Sequence, residues 1–128
     1  METITYQGET IRKWTLGSST FLAWPERGAR LMNWHLTFAD GTVRDVIYWP
    51  EDTDMAHPAS IRGGNPILFP FVARSFDDGK ENAWCTPDGQ HLPMKRHGYA
   101  RDGAFALEEI HENGFTAKFL PSEECQAA

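Results

Sequence analysis

The segment Lys95-Arg96-His97-Gly98-Tyr99-Ala100-Arg101 gathers cations, an imidazole and an aromatic ring around one glycine. Upstream, Ile61-Arg62-Gly63-Gly64-Asn65-Pro66-Ile67-Leu68-Phe69-Pro70-Phe71 sets another arginine before a glycine pair and an apolar run. A guanidinium is a planar fork that grips carboxylate, phosphate or vicinal hydroxyls, so arginines on two turn-punctuated loops are the chemistry of a site for a small polar or anionic ligand. Arg62, Arg96, His97 and Arg101 are the candidate binding residues. The same side chains admit a plainer reading. Arg62 and Arg101 could pair with Asp77, Asp102 or Glu108 as surface ion pairs worth little, Arg96 could be solvated, and His97 could bond a backbone carbonyl beside Gly98.

Other chemistry finds less support. Cys85 and Cys125 do not make a disulfide framework and have no metal-ligand spacing to a histidine. His35, His57 and His91 show no H-x-H or H-x-x-x-H spacing and are expected at the surface, so neither a metal nor a cofactor is expected. A formal net charge of -6 argues against nucleic-acid binding, which needs a basic surface to neutralise phosphates. No stretch approaches the ~18 apolar residues of a membrane helix. Met1–Gln7 lacks the basic and apolar regions of a signal peptide, so a cytoplasmic address is the expectation.

The elements that must carry these residues read as all-β. Met32, Trp34, Leu36 and Phe38 alternate with Leu31, Asn33, His35 and Thr37, the period of a half-buried strand. Asp40-Gly41 turns that strand into Val43–Trp49, and Glu112-Asn113-Gly114 joins Ala104–Ile110 to Gly114–Leu120. Earlier strands are expected near Ile11–Leu16 and Thr20–Trp24, and no segment has a convincing helical period. Short strands with frequent turns imply an antiparallel sandwich. Pro50–Arg62 reads as a long acidic loop. Arg74–Lys95 reads as a second irregular region, with turns at Asp77-Asp78-Gly79 and Pro87-Asp88-Gly89 and a small hairpin around Asn82–Cys85. Both loops lead directly into the arginine segments, so Arg62 and Arg101 are expected at one end of the sandwich.

Taken together, "RGGNPILFPF" and "HGYAR" resemble the aldose 1-epimerase (galactose mutarotase-like) family, closest to its hexose-6-phosphate mutarotase branch. Gly28–Trp34 and Arg44–Trp49 resemble that family's early strands. Arg96 departs from the pattern, since the sugar-phosphate members carry glutamine there. The resemblance implies an antiparallel β-sandwich and an activity that interconverts α and β anomers of an aldose or hexose 6-phosphate, with Arg62 and Arg101 as substrate anchors, Arg96 beside them and His97 as a hydrogen-bonding neighbour of the sugar. The family's catalytic histidine and glutamate fall downstream of the H-G-F-A-R segment and match nothing here, so residues 1–128 are expected to be the N-terminal part of such a domain and inactive alone. Such sandwiches commonly need about 200–250 residues. The resemblance leaves two alternatives from other classes: a non-catalytic carbohydrate-binding module, or a half-domain completed by another chain, either a second copy or a complementing C-terminal half. Sugar sites often stack pyranose faces on indoles. Trp34 and Trp49 are expected in the core, and Trp84 is the candidate stacking platform.

Overall fold

Residues 1–128 are described by a computed structural model. Turn chemistry orders the N-terminal part of the chain as a meander, in which β1 (Glu2–Tyr6), β2 (Glu9–Leu16), β3 (Ser19–Trp24), β4 (Arg30–Thr37) and β5 (Val43–Ile47) form one five-stranded sheet in chain order. Every neighbouring pair is antiparallel. The Asp40-Gly41 turn forms as expected: Phe38 N–H donates to Thr42 O at 2.8 Å, and the Asp40 carboxylate accepts from Thr42 N–H at 2.9 Å. Strand β1 lies outside the strands expected from the sequence, because its short Glu-Thr-Ile-Thr-Tyr run offers few apolar positions to mark a face.

The expected alternation along β4 is broken. The register passes from Leu22↔Asn33 to Ala23↔Leu31, a bulge that leaves Met32 without a partner. Met32 and Asn33 thereby face one side of the sheet, while Leu31 and Trp34 face the other. The bulge lets Met32 reach the main core while Trp34 stacks on Phe21 across the strands, ring centroids 5.7 Å apart.

That core consists of Ile11, Trp24, Met32, Trp49, Met55 and Ile61, with Tyr6 and Leu22 packed against it. Met55 and Ile61 belong to the expected long loop, which therefore roofs one sheet face; a 3-10 turn at Pro58–Ser60 interrupts it. Trp49 is buried as expected, whereas Trp34 is only half-buried.

The irregular region holds two small hairpins, β6 (Phe76–Asp77) with β7 (Lys80–Glu81) and β8 (Ala83–Cys85) with β9 (His91–Pro93). The last hairpin, β10 (Ala104–His111) and β11 (Gly114–Leu120), lies on the second face of the large sheet. There Phe115 stacks on Trp14 at 5.6 Å, and the Trp14 indole N–H donates to His111 O at 2.8 Å. A five-residue helix α1 (Glu123–Ala127), capped by Ser122, follows. No helix is long and apolar enough to cross a membrane.

Candidate functional site

The two arginine-bearing segments meet in space. Phe69 O accepts from Tyr99 N–H at 2.7 Å and from Ala100 N–H at 3.3 Å, so the apolar run after the glycine pair is stitched to the segment after Gly98. Gly98 sits at φ +73°, and a Cβ there would overlap Phe69 O, so this junction requires glycine. Gly64 makes the equivalent approach at φ +68°, where a Cβ would overlap Leu31 O. Its neighbour Asn65 donates its N–H to that same oxygen at 2.7 Å.

A second clamp holds His97. Its N–H donates to Ala73 O at 2.8 Å, and its ring Nδ1 accepts the Ala73 N–H at 2.8 Å. Because a backbone N–H can only donate, Nδ1 carries no proton, and the neutral ring must hold its proton on Nε2. His97 and Ala73 both occupy left-handed backbone, at φ +64° and +63°. Non-glycine residues held there by their surroundings cluster at functional sites. Partial burial first, then the positive charges of Arg101 and Arg96, hold the imidazole below its ordinary pKa. The ring is therefore a neutral Nε2–H donor, and its Nδ1 bond is to a backbone N–H rather than to a carbonyl.

Arg30, absent from the residues singled out by sequence, organises the loop that carries Arg62. Only 2% exposed, it donates to Pro58 O at 2.8 Å, Ile61 O at 2.7 Å and Gly63 O at 2.6 Å, and its guanidinium lies 5.0 Å from the Trp49 ring centre. Burial, then repulsion from Arg101, lowers its pKa. The carbonyls on both sides of Arg62 are thus drawn inward, while the Arg62 side chain is exposed. Arg101 reaches the same loop through a 3.2 Å bond from Nη1 to Ala59 O, and its buried Nε has no protein partner.

The acids offered by the sequence as partners are not those of the site. Asp102 binds Lys95 at 3.0 Å, and Asp77 binds His91 at 2.5 Å. Arg62, Arg96 and Arg101 enter no ion pair; the arginines that do are Arg12, with Glu26, and Arg74, with Glu81. His35 and His57 pair with Asp45 and Asp54, and no group of three or more metal-binding side chains occurs. Trp84 is half-buried with its ring set against Phe71 at 5.4 Å, so protein already engages the expected platform.

None of the five main cavities is lined by Arg62, Arg96, His97 or Arg101. The apolar ones, of about 240 and 250 Å³, lie on the two faces of the large sheet. Geometry and charge, rather than enclosure, distinguish the arginine–histidine cluster: Arg101 is within electrostatic reach of both His97 and Arg30, and the cluster offers donors alone. Such an array can receive phosphate, carboxylate or hydroxyl oxygens.

The chain is similar to two curated proteins of Lactococcus lactis subsp. lactis, the plasmid and chromosomal forms of Protein LacX. Each is 30% identical over 105 residues, a match covering 73% of this chain and 33% of LacX. The chain thus spans about a third of the length of these relatives. No family model and no solved structure matches.

Proposed function

We infer that the chain is the sugar-holding part of a galactose mutarotase-like β-sandwich of the aldose 1-epimerase family, and that it receives an aldose carrying a phosphate. The observation that supports this reading is the stitched junction of the two segments, with Arg101 bonded to the loop that carries Arg62 and with no carboxylate paired to Arg62, Arg96 or Arg101. On a chain of net charge -6, an array of cations without acid partners selects an anionic group. Arg62 and Arg101 hold the phosphate or vicinal hydroxyls, Arg96 adds charge, and His97 donates to a sugar oxygen. Ring opening and closure need a general acid and a general base. Within this reading those groups are not among the four binding residues, so anomerisation belongs to a longer protein of this type.

The test is calorimetric titration of hexose 6-phosphate and of the free hexose into the chain and its Arg62→Ala variant. Arg62 makes no side-chain hydrogen bond within the protein, so its removal leaves the fold intact. The phosphorylated sugar should lose about 1.5–3 kcal/mol of binding, the range for a hydrogen bond to a charged group. The free sugar should change much less. Equal losses for both would remove the phosphate assignment, and absence of binding to either would remove the sugar reading.

A further inference from the structure

We propose that Cys85, with His91 and Asp77, forms a thiol site that exchanges with small disulfides bearing a carboxylate, independently of the arginine–histidine cluster. The three residues come from the two small hairpins, and register brings them together. Cys85 and His91 are direct partners across β8 and β9. Thr86 N–H donates to Gln90 O and Met94 N–H to Asn82 O, each at 2.8 Å. Those bonds mark alternate pairs of the ladder, so Cys85 and His91 stand at a pair without hydrogen bonds, where opposite side chains approach most closely. Pro93, which has no N–H to donate, occupies the other such position, opposite Ala83. Side chains of a direct pair share one face, with Cβ atoms about 4.5–5.5 Å apart.

Strand β6 delivers an acid to the imidazole. Asp77 Oδ2 lies 2.5 Å from His91 Nδ1. An ionised carboxylate only accepts, so Nδ1 donates, and the lone pair of the neutral ring stands on Nε2. Nε2 makes no hydrogen bond within the protein. The Asp77 side chain is 14% exposed against 71% for His91, so a nearly buried carboxylate orients a ring that stays open to solvent. Cys85 is exposed, and its thiol donates to Thr86 O over a long 3.5 Å. Rotation about Cα–Cβ turns Sγ from that carbonyl toward the imidazole. No three side chains converge here as a metal needs, so the chemistry of the trio is that of the thiol.

A cavity of about 290 Å³ beside His91 is lined by Asp77, Lys80, Asn82 and Pro93 among others. Lys80 enters no ion pair, and its ammonium is the charge that meets an incoming carboxylate. In the exchange, Cys85 gives its proton to Nε2 and its thiolate attacks one sulfur of the disulfide. A bond forms between Sγ and that sulfur, and the disulfide bond breaks. The second sulfur departs as a thiolate, which takes the proton back from the imidazolium. Asp77 stabilises the imidazolium meanwhile. A free thiol is only a few per cent thiolate at neutral pH, which leaves this proton transfer room to quicken exchange by about tenfold.

Treating the whole chain with dithiobis(nitrobenzoate), a disulfide with two carboxylates, and following each cysteine by peptide mass spectrometry tests the proposal. Cys125, half-buried and with its thiol pushed above its ordinary pKa by burial, is the internal clock. His91→Gln, at a mostly exposed position, should slow Cys85 about tenfold while the Cys125 rate stays the same. Lys80→Gln should slow the reaction of Cys85 with this disulfide but not with cystamine, which is cationic. Nitrogen-15 NMR of the neutral His91 ring should place its proton on Nδ1. An unchanged ratio of Cys85 to Cys125 rates in His91→Gln would overturn the site, as would a neutral ring protonated on Nε2. A Lys80→Gln effect that is absent, or equal for both disulfides, would overturn the choice of a carboxylate-bearing substrate.

Discussion

Replacing Arg30 with methionine removes the donor group on which the Pro58–Gly63 loop hangs. The carbonyl oxygens of Ile61 and Gly63 then lose their partner, while Pro58 O keeps the Ile61 N–H at 3.3 Å. At about 1–3 kcal/mol for each of the two groups left unsatisfied, the gross loss is about 2–6 kcal/mol. Two terms oppose it: the desolvation of a buried guanidinium disappears, worth several kcal/mol, and so does its repulsion with Arg101. Methionine still fills much of the volume against Trp49. The net loss should be about 1–3 kcal/mol, a sizeable share of the ~5–15 kcal/mol that holds a small domain. In urea, with a slope of about 1–3 kcal/mol per molar, the midpoint should fall by about 1 M. Tryptophan fluorescence reports the transition directly, because Trp49 lies against Arg30. Arg62→Ala is the internal standard: exposed and unbonded, it should stay within about 0.5 kcal/mol of the unmodified chain. An Arg30→Met midpoint no lower than that of Arg62→Ala would refute the claim that Arg30 holds the loop.

Two further outcomes follow from the junction. Nitrogen-15 NMR should find His97 unprotonated at Nδ1 and titrating below the ordinary ~6.5 of histidine, with Arg101→Ala moving the midpoint upward; a midpoint at or above the ordinary value would contradict the local charge arrangement. Because the folded form disfavours the proton, the contribution of neutral His97 to stability is present above the unfolded pKa. It is lost as pH falls through the lower folded midpoint, where Nδ1 takes a proton and must release Ala73 N–H. Gly98→Ala should destabilise by more than about 1 kcal/mol in urea, from left-handed backbone alone, with the overlap on Phe69 O adding to it; a neutral effect would show that the two segments are not joined as described.

The residues of the candidate site were legible in the sequence because their chemistry is local: an arginine before a glycine pair, and a histidine and arginine around Gly98, stand out wherever the chain goes. Turns were legible for the same reason. Asp40-Gly41, Asp78-Gly79 and Asp88-Gly89 close hairpins through bonds within a few residues. Period-two alternation likewise determined that the chain is antiparallel β with almost no helix.

Tertiary structure decided what depends on partners far along the chain. Arg30 reads as a polar residue at a strand start, and only the fold turns it inward to carbonyls 28 to 33 positions away. The bulge at Met32 cannot be read from β4 alone, because it arises from register against β3 and moves Met32 and Trp34 to opposite faces. The alternative of surface ion pairs from Arg62 and Arg101 to Asp102 or Asp77 was likewise settled by tertiary structure, since Lys95 and His91 hold those two carboxylates. Sequence specifies which side chains are available and which turns are cheap. Competition among distant partners for buried space and for charge is settled only when the strands pack.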